Sequence, residues 1–204
     1  MTKSTKPNPL MTTLGSLGAA LVLVILVLTF TGVSDLTRGV IRAAALMAYL
    51  CTFMASFSSM FMREITKRLG QPFMKVHHTW VIAGIVGMLV HATTFAWYVG
   101  SVSVFVPRFD SLEVFLRNGG RPALILFVIT SLTAVFRAAI GKNWRVLHWL
   151  NYLAFFLATG HAWLIGSSFE SWVLKIVSAL MATALLVAFI IKRTRKPKSK
   201  RLKG

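Results

Sequence analysis

The chain is 204 residues long, with 56% hydrophobic and 14% charged residues and a mean hydropathy of +0.70. A soluble globular domain carries about 25% charged residues, so this composition excludes a soluble enzyme, a disordered chain and a fibrous repeat, and describes an all-α integral membrane protein. Lys and Arg outnumber Asp and Glu by 23 to 5, but they lie between apolar runs and in the tail, where they set membrane orientation; the lipid bilayer is the expected partner and nucleic acid is not.

Six apolar segments follow along the chain: Leu14–Phe30, Val40–Met62, Thr79–Gly100, Pro122–Phe136, Val146–Gly166 and Trp172–Ile191. Crossing the hydrocarbon takes about 20 helical residues. The pattern predicts a six-transmembrane-helix bundle over residues 13–191, between a cytoplasmic N-terminal segment, 1–12, and a basic cytoplasmic tail, 192–204. The first segment is longer than a signal-peptide core and lacks a clear small-residue cleavage site, so it reads as a retained helix. The fourth is the shortest, starting within Asn118–Arg121 or running on through Arg137.

Positive charge sorts the loops. The N-terminus, the second and fourth loops and the tail together hold 17 Lys and Arg, and the remaining loops and helix ends hold 6. Cytoplasmic loops favour Lys and Arg, which places both termini in the cytoplasm and the chain in the plasma (inner) membrane. Trp80, Trp144 and Trp149 then fall toward the inner surface, and Trp97, Trp163 and Trp172 toward the outer one. In the long third loop, Asp110-Ser-Leu-Glu113 resembles a capping box opening a short amphipathic helix on the outer surface. The single cysteine, Cys51, excludes an internal disulfide and a thiolate metal cluster.

All five carboxylates, Asp35, Glu64, Asp110, Glu113 and Glu170, fall in loops or at helix ends. Ion-coupled transporters usually carry an intramembrane acid, which disfavours a non-redox transporter. The five histidines are more informative. His77 and His78 lie at the inner end of the third segment and His91 within it, and His148 and His161 lie within the fifth. Both segments run in the same direction, so His77, His78 and His148 share an inner level and His91 and His161 an outer one. At 1.5 Å per residue the two levels lie about 20 Å apart.

Two axial imidazoles, one from each side, are what a b-type haem iron needs, and facing helices of a bundle supply them. Two levels therefore predict one or two b haems, stacked so that electrons cross the low-dielectric core. At about 100° per residue, His77 and His91 share a helix face, whereas His78 is about 140° away; His77 is favoured, with His78 kept as the alternative. His148 and His161, thirteen apart, demand a local distortion, for which Gly160 is the candidate position. Gly84 admits either a porphyrin face or a neighbouring helix. Phe155, Phe156 and Met88 read as packing residues. Lys75 and Arg145 on the inner side, and Arg108 or Arg121 on the outer, are candidate propionate partners. The inner basic cluster of Arg63, Lys67, Arg68, Arg137 and Lys142 reads as a topology signal, with a flavin phosphate or an acidic donor as the alternative.

The stretch Ile129-Thr-Ser-Leu through Gly141-Lys-Asn-Trp-Arg-Val-Leu-His148-Trp-Leu-Asn-Tyr152-Leu, continuing to His161, resembles the ferric-reductase-like transmembrane domain superfamily. It is similar to the pattern ahead of the second histidine in the haem-binding membrane subunit of the methionine sulfoxide reductase system. Thr31-Gly32, the basic segment after the second helix and His91 fit as well. The resemblance implies a membrane haem subunit of an oxidoreductase, with His91 and His161 on the outer haem iron and His148 serving the inner one. The fourteen-residue spacing of His77 and His91 matches the NADPH oxidase branch, while basic residues usual in the methionine sulfoxide reductase branch are replaced by His77 and His78. No flavin or nicotinamide domain is contained in these residues, so the expected donor is a separate flavoprotein, a bound FMN or a membrane quinone in its quinol form, and the acceptor lies on the outer side. A quinol-oxidising cytochrome b anchor of a larger enzyme is the runner-up.

Overall fold

A computed structural model describes residues 29–30, 35–69 and 73–194, all helix and connecting turn with no strand among them. From Leu36 onward the helices are α1 (Leu36–Ser58), α2 (Met62–Leu69), α3 (Phe73–Val99), α4 (Leu112–Arg117), α5 (Gly120–Val135), α6 (Arg137–Ile140), α7 (Trp144–His148), α8 (Leu150–Ile165) and α9 (Trp172–Thr194). The expected N-terminal segment 1–12, the first apolar segment up to residue 28 and the tail from residue 195 lie outside the described residues.

Three stretches are long and apolar enough to cross a bilayer: Leu36–Phe61, Phe73–Val99 and Trp172–Thr194. They coincide with the second, third and sixth apolar segments. A fourth span requires α5 to be joined with Arg137–His148 across an 81° bend, and α8 is a shorter apolar helix. Helices of this length satisfy every internal backbone group and expose apolar side chains, which only a lipid environment rewards. The protein is a multi-pass integral membrane protein. Three or four such helices are present among the described residues, where the sequence pattern predicted six in the whole chain.

Local chemistry sets the helix ends. Asp35 caps α1, its Oδ1 accepting from the Thr37 N–H at 2.9 Å. α3 ends at Gly100, whose φ of 65° suits glycine because no Cβ meets the carbonyl. There Ser101 N–H donates to Ala96 O and Gly100 N–H to Trp97 O, both at 3.1 Å, which satisfies two otherwise orphaned carbonyls. The cap of α4 is Ser111, not Asp110: Ser111 Oγ accepts from the Val114 N–H at 3.2 Å. The third helical position is thus Val114, which cannot return a side-chain bond, and the expected capping box is corrected to a single serine cap.

α3 packs along α1, and α5 along α8, while α3 and α8 are not among the extensively packed pairs. Gly84 is the one buried residue of α3. A Cβ built there would lie 3.1 Å from Thr52 Cγ2 and 3.5 Å from Cys51 Cβ. One built on Gly87 would lie 3.2 Å from Ala44 O, Ala48 Cβ and Ala48 N. Both glycines therefore serve close approach of α3 to α1, which decides between the two roles open to Gly84. The main core gathers Ala123, Phe127, Ala154, Phe155 and Leu185. Tyr49 stacks on Phe155 with ring centroids 4.7 Å apart, and its hydroxyl bonds Thr159 Oγ1 at 2.9 Å. Phe155 is thus a packing residue, as expected.

Candidate functional site

Each of four histidines is tied by one ring nitrogen to a backbone carbonyl of a different helix. His77 Nδ1 lies 3.1 Å from Ala55 O, and His91 Nδ1 lies 3.0 Å from Ile41 O, both on α1. His148 Nδ1 lies 3.1 Å from Thr130 O on α5, and His161 Nδ1 lies 2.7 Å from Arg117 O at the end of α4. A carbonyl only accepts, so in each bond Nδ1 carries the proton and donates. The lone pair of the neutral ring then sits on Nε2, the tautomer a metal ligand needs.

The registers match. His77 and His91 are fourteen residues apart, as are their acceptors Ala55 and Ile41. His148 and His161 are thirteen apart, as are Thr130 and Arg117. Antiparallel neighbours run past one another at equal rise, so the tethers to Ala55 and Ile41 hold the His77 and His91 rings on one side of α1, whereas those to Thr130 and Arg117 reach two separate helices, α5 and α4. Helical carbonyls have a second lone pair for such a bond. Arg117, the last residue of α4, offers a carbonyl with no intrahelical partner.

The structure brings one pair of histidines, His77 and His148, into ring contact across helices. The His77 and His148 rings have centroids 6.5 Å apart at 65°. Two imidazoles ligating one metal from opposite sides, at roughly 2.0–2.1 Å per bond, place their centres about 6 Å apart. At the other level His91 and Arg121 are the charged-group neighbours of His161. His78 is exposed, its ring 6.0 Å from His77, and it makes none of these tethers. No group of three or more His, Cys, Asp and Glu stands together among the described residues, so the donor sets available are pairs of imidazoles.

Side chains around the rings fix them further. Phe73 stacks on His77 with centroids 5.3 Å apart, and Trp144 tilts against His148 at 5.8 Å. Thr130 Oγ1 bonds Asn151 Oδ1, and with the His148 proton on Nδ1 the Asn151 amide can donate only to His148 Nε2, 3.5 Å away. A Cβ on Gly120 would lie 2.9 Å from the His161 ring, so that ring rests against α5 backbone. Gly160 faces open space.

The distortion expected in the fifth segment occurs, but beside His148 and not at Gly160. α7 stops at His148 and α8 begins at Leu150, with Trp149 N–H shared between Arg145 O at 3.2 Å and Val146 O at 3.1 Å. Tyr152 N–H then donates to Trp149 O at 3.0 Å, a 3₁₀-type step that tightens the helix. Arg193 of α9 lies 3.1 Å over the Trp149 ring. Among the candidate propionate partners, Arg108 is engaged by Asp110 at 2.9 Å, and that hydrogen bond holds the Asp110 carboxyl below its ordinary range. Arg121 Nη1 donates to Val106 O at 2.7 Å beside His161.

The tethering carbonyls escaped the sequence because a backbone acceptor has no side-chain signature. Only the matched spacing on the partner helix could have pointed to them. Asn151 lies inside the motif quoted above, three residues from His148, yet its other polar neighbour, Thr130, comes from α5. No protein-family model, no curated protein and no solved structure matches the chain, so its function rests on this geometry.

Proposed function

We propose that the protein is a six-helix b-type cytochrome that carries electrons across the membrane from a cytoplasmic or quinol donor to an acceptor on the outer face. The observation that carries the reading is the set of four Nδ1 tethers, arranged as His77 with His148 and His91 with His161. They leave four Nε2 acceptors, two on α3 and one each on α7 and α8, neither of which packs extensively against α3. Bound haem would supply a one-electron iron couple at each level. The protein's own work is to hold each imidazole neutral, oriented and shielded from water. Fourteen residues of α3 separate the two levels, about 20 Å along the axis. That distance divides the hydrocarbon crossing into two short transfers, whereas Phe and Trp side chains are poor carriers. The resemblance to the ferric-reductase-like superfamily points the same way, and under it the His77–His148 level is the inner one.

The test is an optical spectrum of purified protein from haem-replete cells, oxidised and dithionite-reduced, with the haem-to-protein ratio. A b-type spectrum near two haems per chain is expected. His91→Ala and His161→Ala should each remove the outer signal and leave the inner one. Colourless, folded protein would overturn the reading. Reduction by quinol alone, compared with reduction by a flavoprotein or by FMN, identifies the donor class.

A further inference from the structure

A groove of about 460 Å³ opens between α2 and the first turn of α3. Met62, Phe73 and Met74 wall it with apolar side chains, and Arg63 and Lys67 line it almost wholly with the apolar stems below their charged ends. Arg63 and Lys67 are four apart on α2, hence neighbours on one helix face. The remaining lining residue, Thr66, turns its hydroxyl back to Met62 O at 3.0 Å, so the wall is apolar and the charged ends of Arg63 and Lys67 lie off it. The ion pairs among the described residues join Arg38 with Asp35, Arg108 with Asp110 and Arg117 with Glu113, all at the opposite end of the bundle; the side chain of Glu64, the carboxylate of α2, lies outside the described residues. Phe73 is shared: one ring lines the groove and stacks on His77.

Apolar walls beside two cations, at the end of a membrane helix, suit an amphiphilic anion. A soluble anion would leave Met62 and Met74 facing water, each already 44% exposed. A zwitterionic lipid brings its own cation to compete with Arg63 and Lys67. We propose that the groove binds an acidic phospholipid from the leaflet at the His77 end, with its phosphate on Arg63 and Lys67 and its upper acyl chain along Met62, Phe73 and Met74. Arg supplies bidentate hydrogen bonds to phosphate oxygens and Lys a point charge. This site is independent of what the histidines bind.

The test is native mass spectrometry of the detergent-purified full chain titrated with phosphatidylglycerol or phosphatidylcholine of identical acyl chains. Wild type should retain phosphatidylglycerol in clear preference. R63Q/K67Q should weaken that retention about 25-fold, at about fivefold for each Lys or Arg at an acidic membrane surface. R63K/K67R, which keeps both charges, should retain most of the affinity and guards against a folding defect. K142Q removes a cation outside the groove and should change nothing. Equal retention of the two lipids by wild type would overturn the proposal. So would equal losses in K142Q and R63Q/K67Q, which would mean diffuse surface charge. Displacement of phosphatidylglycerol by equimolar inorganic phosphate would also overturn it, by assigning the groove to a soluble anion.

Discussion

Replacing Gly87 by Leu should separate α3 from α1 and disturb the His91 level first. A Cβ at this position would sit 3.2 Å from three atoms of α1, two of them backbone, Ala44 O and Ala48 N. Backbone inside a helix cannot step aside, so the larger side chain must push the helices apart. Overpacking of this kind costs about 1–3 kcal/mol. His91 is four residues away, one helical turn, and its tether to Ile41 O is 3.0 Å long. A displacement of about 0.5 Å carries that bond toward the limit of a useful hydrogen bond and adds about 0.5–1.5 kcal/mol. The sum, about 1.5–4.5 kcal/mol, is a large share of a typical folding stability of about 5–15 kcal/mol. The assay is reversible unfolding by SDS in mixed micelles, followed by tryptophan fluorescence, beside the haem-to-protein ratio. Ala83→Leu is the control: Ala83 is exposed and should stay within about 0.5 kcal/mol of wild type. If Gly87→Leu is no more destabilising than Ala83→Leu, close α1–α3 contact is not what positions His91.

Three further outcomes are expected. His77→Ala and His148→Ala should each lower the haem ratio by one level, while His78→Ala leaves it unchanged; loss of a level in His78→Ala alone would transfer the ligand role to it. Gly120→Val should selectively weaken the His161 level, because its Cβ would lie 2.9 Å from that ring, and spectra in which only the His77–His148 level changed would contradict this. Asp110 is held below its ordinary pKa by its hydrogen bond from Arg108. A depressed carboxyl lends stability above its unfolded value of 3.8 and loses it as pH falls through the lower folded value, so the Arg108 pairing should persist down to about pH 4 and break only below. Because the pair is fully exposed, Asp110→Asn should leave the thermal midpoint at neutral pH unmoved.

Much of this protein was legible before any fold was drawn. Composition and run length alone assign it to the membrane, because apolar surface on this scale has no other stable environment. The third segment, read as Thr79–Gly100, is one helix that starts earlier, Phe73–Val99, and the 100° periodicity of that helix separates His77 from His78. The same arithmetic shows that His148 and His161 need a distortion, since thirteen residues do not return to one face. What periodicity cannot decide is where the chain relieves that misfit. Packing places the step at Trp149, beneath Arg193 of α9, and not at Gly160, where no neighbour forces a change. Capping chemistry is local, yet the helix begins at Leu112, so Ser111 is the residue that caps it while Asp110 pairs with Arg108. The tethers of the four histidines belong wholly to tertiary structure. Ala55, Ile41, Thr130 and Arg117 contribute only carbonyl oxygens, which every residue owns. Which oxygen meets which imidazole is set by the antiparallel register of one helix against another.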